Sequence, residues 1–196
     1  MPSIKVATDF FLILTLAANA VVAVALVLAL GALVSRRVRA IAVSIAAGVA
    51  PQSLVLAWLV ATVTTLGSLY YSEHAGFIPC ELCWFQRILM YPLVIVLGVA
   101  CLRRDRAVWK TVLVFVALGA PLSLYHWLVE RVPAFAESSS CSIDVPCTAP
   151  WFEKLGFVTL AWMAMSAFLL IGVLMVCTIV GARVVDDDAA PGTVAV

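Results

Sequence analysis

Four cysteines in two closely spaced pairs are the residues of this sequence best placed to do chemistry. Cys80 and Cys83 are three residues apart, and Cys141 and Cys147 are six apart. Such pairs suit thiol–disulfide exchange, in which a thiolate attacks one sulfur of a disulfide and the other sulfur leaves. The first pair sits in the string Pro79, Cys80, Glu81, Leu82, Cys83, Trp84, Phe85, Gln86, Arg87. A proline ahead of a long apolar run marks a helix start. The spacing therefore predicts both cysteines in a first helical turn, close enough to be bridged. A helix N-terminus carries partial positive charge and unpaired N–H groups, both of which stabilise thiolate. Arg87, four residues after Cys83, falls on the same face one turn deeper. It favours a thiolate at Cys83 or an anionic electron acceptor beside it; the bland alternative is an arginine that snorkels and anchors the helix. An arginine just inside an apolar span costs roughly 2.5–3.5 kcal/mol on insertion scales, which favours the functional reading.

Cys141 and Cys147 enclose only residues 142–146. A disulfide closing so short a loop contributes on the order of 2 kcal/mol through chain entropy. A structural staple works better across a long loop, so this bridge reads as redox-active, with an inert local clip as the alternative. Cys101 and Cys177 are single and flanked by apolar residues, and they read as small buried core residues. His126, in the run Leu124, Tyr125, His126, Trp127, either donates to a quinone carbonyl or snorkels to water.

The elements that must hold these residues are membrane spans. Of the 196 residues, 65% are hydrophobic and 12% charged, whereas a soluble domain carries about a quarter charged residues. The net charge of +1 leaves no basic patch for nucleic acid. A bilayer core needs about 20 apolar residues of helix, and five runs qualify: 10–34, 52–71, 84–102, 109–127 and 157–180. Pro51 belongs at a helix start rather than in a helix middle, so 41–50 reads as an interfacial lead-in to the second span. Arg36, Arg37 and Arg39 fill the first inter-span loop, and Arg103, Arg104, Arg106 and Lys110 the third. By the positive-inside rule both are cytoplasmic. The loops 72–81 and 128–156 carry Glu73, Glu81, Glu130, Glu137, Asp144 and Glu153, and they then lie outside with all four paired cysteines, where disulfides persist. Cys101 and Cys177 fall at the inner ends of their spans. Tyr70, Tyr71, Trp84, Trp127 and Trp151 are spaced as an aromatic belt. The run 10–34 continues too far past the Ala18, Asn19, Ala20 triplet for a cleaved signal peptide. The sequence has no internal repeats, and 181–196 reads as a disordered cytoplasmic tail.

With these residues in view, the sequence closely resembles the disulfide-bond formation protein B (DsbB) family, and especially its Gram-positive branch, BdbC. The resemblance lies in Leu66, Gly67, Ser68, Leu69, Tyr70, Tyr71, Ser72 and Glu73. It continues through Phe77, Ile78 and the Pro79–Arg87 string to Ile88, Leu89, Met90, Tyr91 and Pro92. Ser123, Leu124, Tyr125 and His126, and then Val145, Pro146, Cys147 and Thr148, extend it, over roughly 54–180 in all. The resemblance implies an all-α polytopic membrane protein: a four-helix bundle over 41–180, here with an extra N-terminal helix at 10–34. It implies an inner-membrane protein-disulfide:quinone oxidoreductase that uses menaquinone or ubiquinone and reoxidises a DsbA-like thioredoxin-fold partner outside. Carried over by position, Cys141 is the cysteine attacked by the partner, Cys147 is its bridge mate, and Cys80–Cys83 receives the electrons. Cys83 contacts the quinone as thiolate, Arg87 supports the charge, and His126 lines the quinone pocket. Two departures stand out: the fifth span, and a 141–147 spacing much shorter than in Gram-negative members. Two other readings remain open. One is a vitamin K epoxide reductase-like enzyme with quinone-linked cysteine pairs; the other is a structural zinc site built from the four outer cysteines.

Overall fold

The computed structural model describes residues 2–138, 141 and 145–189. Among these residues seven α-helices run in order: α1 (Pro2–Val34), α2 (Arg36–Val49), α3 (Ser53–Leu69), α4 (Glu81–Arg103), α5 (Trp109–Arg131), α6 (Pro133–Ser138) and α7 (Leu160–Ala189). A π-helical turn, Tyr70–His74, extends α3, and a 3-10 turn, Arg106–Val108, leads into α5. Among the described residues the only β pairing is a single bridge between Lys154 and Val158. Among the described residues five helices are long and apolar enough to cross a membrane: Ser3–Val34, Ser53–His74, Glu81–Arg103, Arg106–Arg131 and Leu160–Val185. The chain is thus an all-α, multi-pass membrane bundle.

The helix boundaries follow from local chemistry. Ser35 caps α2, its hydroxyl accepting from the Val38 N–H, and Arg36, Arg37 and Arg39 open that short helix. Pro51 sits in the turn between α2 and α3, two residues before α3 begins, because its ring clashes with a continuing helix. Asp105 caps the turn into α5 by accepting from the Ala107 N–H.

α7 is the spine of the bundle, packing on α1, α2, α3 and α5. Its Phe168 is fully buried beside Leu93, Leu97, Val112, Ile171 and Met175. Gly119 on α5 makes room for that ring, since a Cβ there would collide with it. A buried hydroxyl pair, Ser53 and Thr178 with oxygens 2.7 Å apart, ties α3 to α7 near the arginine-rich end.

Four expectations from the sequence need adjusting. α5 runs four residues past 127, so Glu130 is a buried helical residue and not a loop charge. Tyr71 is 4% exposed, and its hydroxyl bonds Thr8 on α1, so it faces protein and not the interface. Cys101 and Cys177 are half-buried and unbridged, not enclosed in the core. α7 continues through Ala189, so helix occupies the first nine positions of the expected 181–196 tail; the rest of that tail, 190–196, lies outside the described residues.

Candidate redox site

Both cysteine pairs sit at the same end of the bundle, opposite the arginine-rich turns. Cys80 is the N-cap of α4, with an extended backbone, and its Sγ accepts the Cys83 N–H at 3.3 Å. The Cys83 Sγ lies 2.7 Å from the Cys80 Sγ, both cysteines being free thiols. The hydrogen bond from the Cys83 thiol, helped by His126 and the Cys83 N–H, holds the Cys80 pKa down to about 4 against burial, which pushes it up. The charge of the reduced pair therefore rests on the helix cap, where the free N–H groups point. The cap geometry favours Cys80 as the charged partner while both thiols are free; the sequence reading of a Cys83 thiolate concerns the state in contact with an acceptor.

Cys141 and Cys147 are joined by a disulfide with Cα atoms 6.0 Å apart. Cys147 is 2% exposed and packs in one cluster with Cys80, Leu82 and Val129, whereas Cys141 is half-buried. One sulfur of the bridge is thus turned toward the first pair and the other is more open. Residues 142–144 of the enclosed loop lie outside the described residues. The segment that follows is held down by rings: Trp151 stacks on Phe77 at 4.7 Å, Phe77 on Tyr71 at 5.4 Å, and the Trp151 indole N–H donates to the Ile78 carbonyl.

A buried polar chain backs Cys80. His126 Nε2 lies 3.6 Å from the Cys80 Sγ and 3.8 Å from a Glu130 carboxylate oxygen. His126 Nδ1 lies 3.4 Å from the Gln86 Oε1. An amide oxygen only accepts, so Nδ1 carries the proton there and Nε2 is the free lone pair facing the thiol. The Thr159 hydroxyl donates to Glu130 at 2.6 Å. His126 and Glu130 are both 4% exposed in their side chains, so each is committed to this chain and not to water.

Two cavities flank the cysteines. The smaller, about 320 Å³, is lined by Cys80, Cys83, His126, Glu130 and Cys147. The larger, about 420 Å³, is mostly apolar and takes walls from α1, α3, α4 and α7, with Cys83, Gln86, Arg87 and Tyr91 at its α4 face. Cys83 is the cysteine that lines both. Arg87 is fixed at the larger cavity by Ser68 of α3: Nε donates to its hydroxyl at 3.0 Å and Nη2 to its carbonyl at 3.1 Å. The Trp84 ring lies 5.2 Å from the guanidinium carbon, and the Tyr91 hydroxyl donates to the same Ser68. Gln86 Nε2 is buried without a hydrogen-bond partner, and a buried orphan donor costs about 1–3 kcal/mol.

Of the residues singled out from sequence, Cys80, Cys83, Cys147 and His126 meet around the smaller cavity, and Cys83 and Arg87 around the larger. His126 does not line the larger cavity; Gln86 stands between. Gln86 enters the sequence reading only as motif text, and Glu130 only as a loop charge. A polar residue inside an apolar span, and a Glu four residues after a His, are the signals that mark them. As for metals, Cys80, Cys83 and His126 place three ligand atoms within 4.8 Å of one another. The four-cysteine zinc site is not formed, because Cys141 and Cys147 bond each other.

Compared with known proteins, residues 50–178 match the family model described as disulfide bond formation protein DsbB. The chain is 45% identical over 130 residues to "Disulfide bond formation protein C" of Bacillus subtilis, covering 66% of this chain and 94% of that protein. It is 41% identical over 121 residues to "Probable disulfide formation protein C 1" of Bacillus anthracis, covering 62% and 87% respectively. It is 42% identical over 125 residues to "Probable disulfide formation protein" of Coxiella burnetii, covering 63% and 85%. No solved structure matches.

Proposed function

The chain belongs to the DsbB family of disulfide bond formation proteins, a membrane oxidoreductase acting on disulfides, and from that premise we propose that it reoxidises a DsbA-like thioredoxin-fold protein and passes the electrons to a membrane quinone. The observation that carries this reading is the position of Cys83, which lines both a cavity shared with Cys80 and Cys147 and a larger apolar cavity beside Arg87. The cysteine end faces outward in the bacterial inner membrane, since the arginine-rich turns at the other end belong in the cytoplasm.

The exchange runs through four disulfide steps. A thiolate of the reduced partner attacks the Cys141 Sγ, the half-buried sulfur of the 141–147 bridge, and Cys147 leaves as thiolate. Cys147, packed against Cys80, attacks the Cys80 Sγ of an oxidised Cys80–Cys83 pair, and Cys83 leaves as thiolate. The partner's second thiolate then attacks the partner sulfur of the mixed disulfide, which frees the oxidised partner and Cys141. Cys141 attacks Cys147, reforms the bridge and leaves Cys80 as thiolate, the form favoured at the α4 cap. A dithiol held with so low a pKa makes the corresponding disulfide a strong oxidant, because the reduced form is stabilised. His126 Nε2 lies 3.6 Å from Cys80, within reach of a proton exchanged with the pair, with Glu130 behind it.

The larger cavity fits a quinone. Its volume lies in the range of small-molecule sites, about 300–1,000 Å³. Its walls suit an apolar ring and tail, and the orphan Gln86 Nε2 with the Arg87 guanidinium offers donors to a carbonyl oxygen. A bound quinone supplies a sink for two electrons and two protons. The test is purified protein in detergent with reduced partner and quinone. Cys83→Ser is expected to abolish quinone reduction while a thiol partner still opens the Cys141–Cys147 bridge. Full quinone turnover by Cys83→Ser would sink the proposal.

A further inference from the structure

α1 has no counterpart in the family match, which begins at residue 50. The 130 residues matched in the Bacillus subtilis relative make up 94% of that protein, which leaves no stretch long enough for a helix of 33 residues. Yet α1 is not a detached anchor. Phe11, Leu14, Thr15, Ala18 and Val21 line the larger cavity together with Cys83 and Arg87. The Phe11 ring lies on Gly67, where a Cβ would come within 2.6 Å of it. Gly67 precedes Ser68, the residue that holds Arg87. Among the described residues, the polar ties from α1 to other helices and loops all fall in this half. Thr8 accepts from the Tyr71 hydroxyl at 3.2 Å, Asp9 pairs with Lys154 at 2.9 Å, and Asn19 accepts from the Ser166 hydroxyl at 2.7 Å. Both halves carry accessible apolar residues on their outer face, but Thr8, Thr15 and Ala18 are buried in the first half and no residue of 22–34 is.

We propose that α1 is the wall of the acceptor site that receives the quinone's isoprenoid tail, an accessory helix that turns a lipid-facing groove of the four-span bundle into a bounded cavity. The proposal rests on the quinone reading above. Depth along α1 divides the cavity. Phe11 is level with Tyr71, Gly67 and the Cys83–Arg87 face, where the ring reacts. Ala18 and Val21 lie about two to three turns further in, in the wall that also holds Leu59, Val60 and Leu170. At about 1.5 Å per residue, residues 11–21 cover roughly 15 Å of depth, so the wall continues well beyond the reach of a ring alone. Val21 ends the lining, and past it no residue of α1 is buried.

The test uses the full-length protein in detergent and two quinones, a tailless benzoquinone and one with a decyl tail ending in a photoreactive azide. Light is expected to attach the azide to the 11–21 segment of α1, and excess unlabelled tailed quinone is expected to prevent it. Ala18→Phe, which fills the tail wall, is expected to weaken binding of the tailed quinone about tenfold or more, the range of overpacking penalties. It should change the tailless one less than about threefold, and the lipid-facing control Leu30→Phe should leave both unchanged. Cross-linking needs no variant, so a misfolded Ala18→Phe does not protect the idea. Adducts confined to α3, α4 and α7 overturn it, as do α1 adducts that unlabelled quinone fails to displace, which mark an acyl-chain contact, or equal losses for both quinones. Quinone reduction by the wild type is measured in parallel. If that is absent, the quinone reading fails and the proposal with it; if it is present and α1 is untouched, only the role of α1 fails.

Discussion

Gln86 offers the sharpest test of how the acceptor cavity is built. Its amide has two ends with different fates: Oε1 meets His126 Nδ1 at 3.4 Å, while Nε2 is buried with no partner. Gln86→Met removes both contacts at nearly constant volume. Losing a neutral hydrogen bond to the quinone is worth about 0.5–1.5 kcal/mol, or roughly 2- to 13-fold in affinity. The same change removes an orphan donor that costs about 1–3 kcal/mol in the empty protein, against about 0.5–1 kcal/mol for the long contact to His126. The ligand-free protein is therefore expected to gain on the order of 1 kcal/mol of stability while binding the acceptor less well. Gln86→Glu separates the two ends, since it keeps an acceptor for His126 and loses the donor to the cavity. It should weaken quinone binding at least as much as Gln86→Met. Quenching of tryptophan fluorescence by quinone gives the affinity, because Trp84 lies beside the Arg87 guanidinium; thermal unfolding in detergent gives the stability. If Gln86→Glu binds quinone like the wild type while Gln86→Met does not, the residue acts only by orienting His126, and the donor role is refuted.

Three further expectations come from the helix cap and from the core. The depressed Cys80 pKa of about 4 means that in the reduced protein Cys80 stays a thiolate at neutral pH. Its alkylation by iodoacetamide, mapped by mass spectrometry, should reach half its plateau rate well below the ordinary thiol value of about 8.5; a midpoint at that value contradicts the cap geometry. The sign for stability follows. A pKa lower in the folded state adds stability that is complete above the unfolded thiol's pKa, declines as pH falls below it, and is gone below about pH 4, so the reduced form should lose stability relative to the oxidised form on acidification. In the core, Gly119→Ala sets a Cβ against the Phe168 ring and should cost about 1–3 kcal/mol. Adding Phe168→Leu should recover part of that loss in thermal unfolding, and a Gly119→Ala protein as stable as wild type would show that the ring has room to move.

Much of this arrangement is legible in the sequence because it is written locally. Pro79 before an apolar run fixes where α4 starts, and that start alone places Cys80 at the cap and Cys83 one turn in. Runs of apolar residues fix the five spans, because a bilayer leaves the helix as the only segment able to satisfy its own backbone. What the sequence does not carry is direction. In a soluble helix an apolar stripe tells which face meets the core. In a membrane span lipid is as apolar as protein, so α1 shows no stripe, and nothing local distinguishes Ala18, which lines a cavity, from Leu30, which faces outward. Tyr71 and Glu130 mislead for a related reason. Each sits where an interface residue belongs, and each is drawn inward by a partner distant in sequence, Thr8 in one case and Thr159 in the other. His126 is read as facing the acceptor, and its turn toward Cys80 depends on the Gln86 side chain between them.

The two cavities give a physical reason for that turn. Proton transfer needs polar groups that gain and lose charge, and burying such groups beside an apolar ring costs far more than burying them beside one another. Quinone binding needs the opposite, an apolar slot with few donors. Around the smaller cavity the chain collects His126, Glu130 and the Cys80 thiolate, and around the larger it keeps apolar walls with Gln86 and Arg87 at one face. Cys83 stands in the walls of both, which also share Ile78, Trp151 and Leu160. Sulfur suits that position because the thiolate is polarisable and only weakly hydrated, so it tolerates the apolar side better than a carboxylate or an imidazolium would. Separation also orders the chemistry. On the proposed reading, a partner thiol entering at Cys141 reaches the cluster of Cys147 and Cys80, and Cys83 carries the electrons on to the larger cavity.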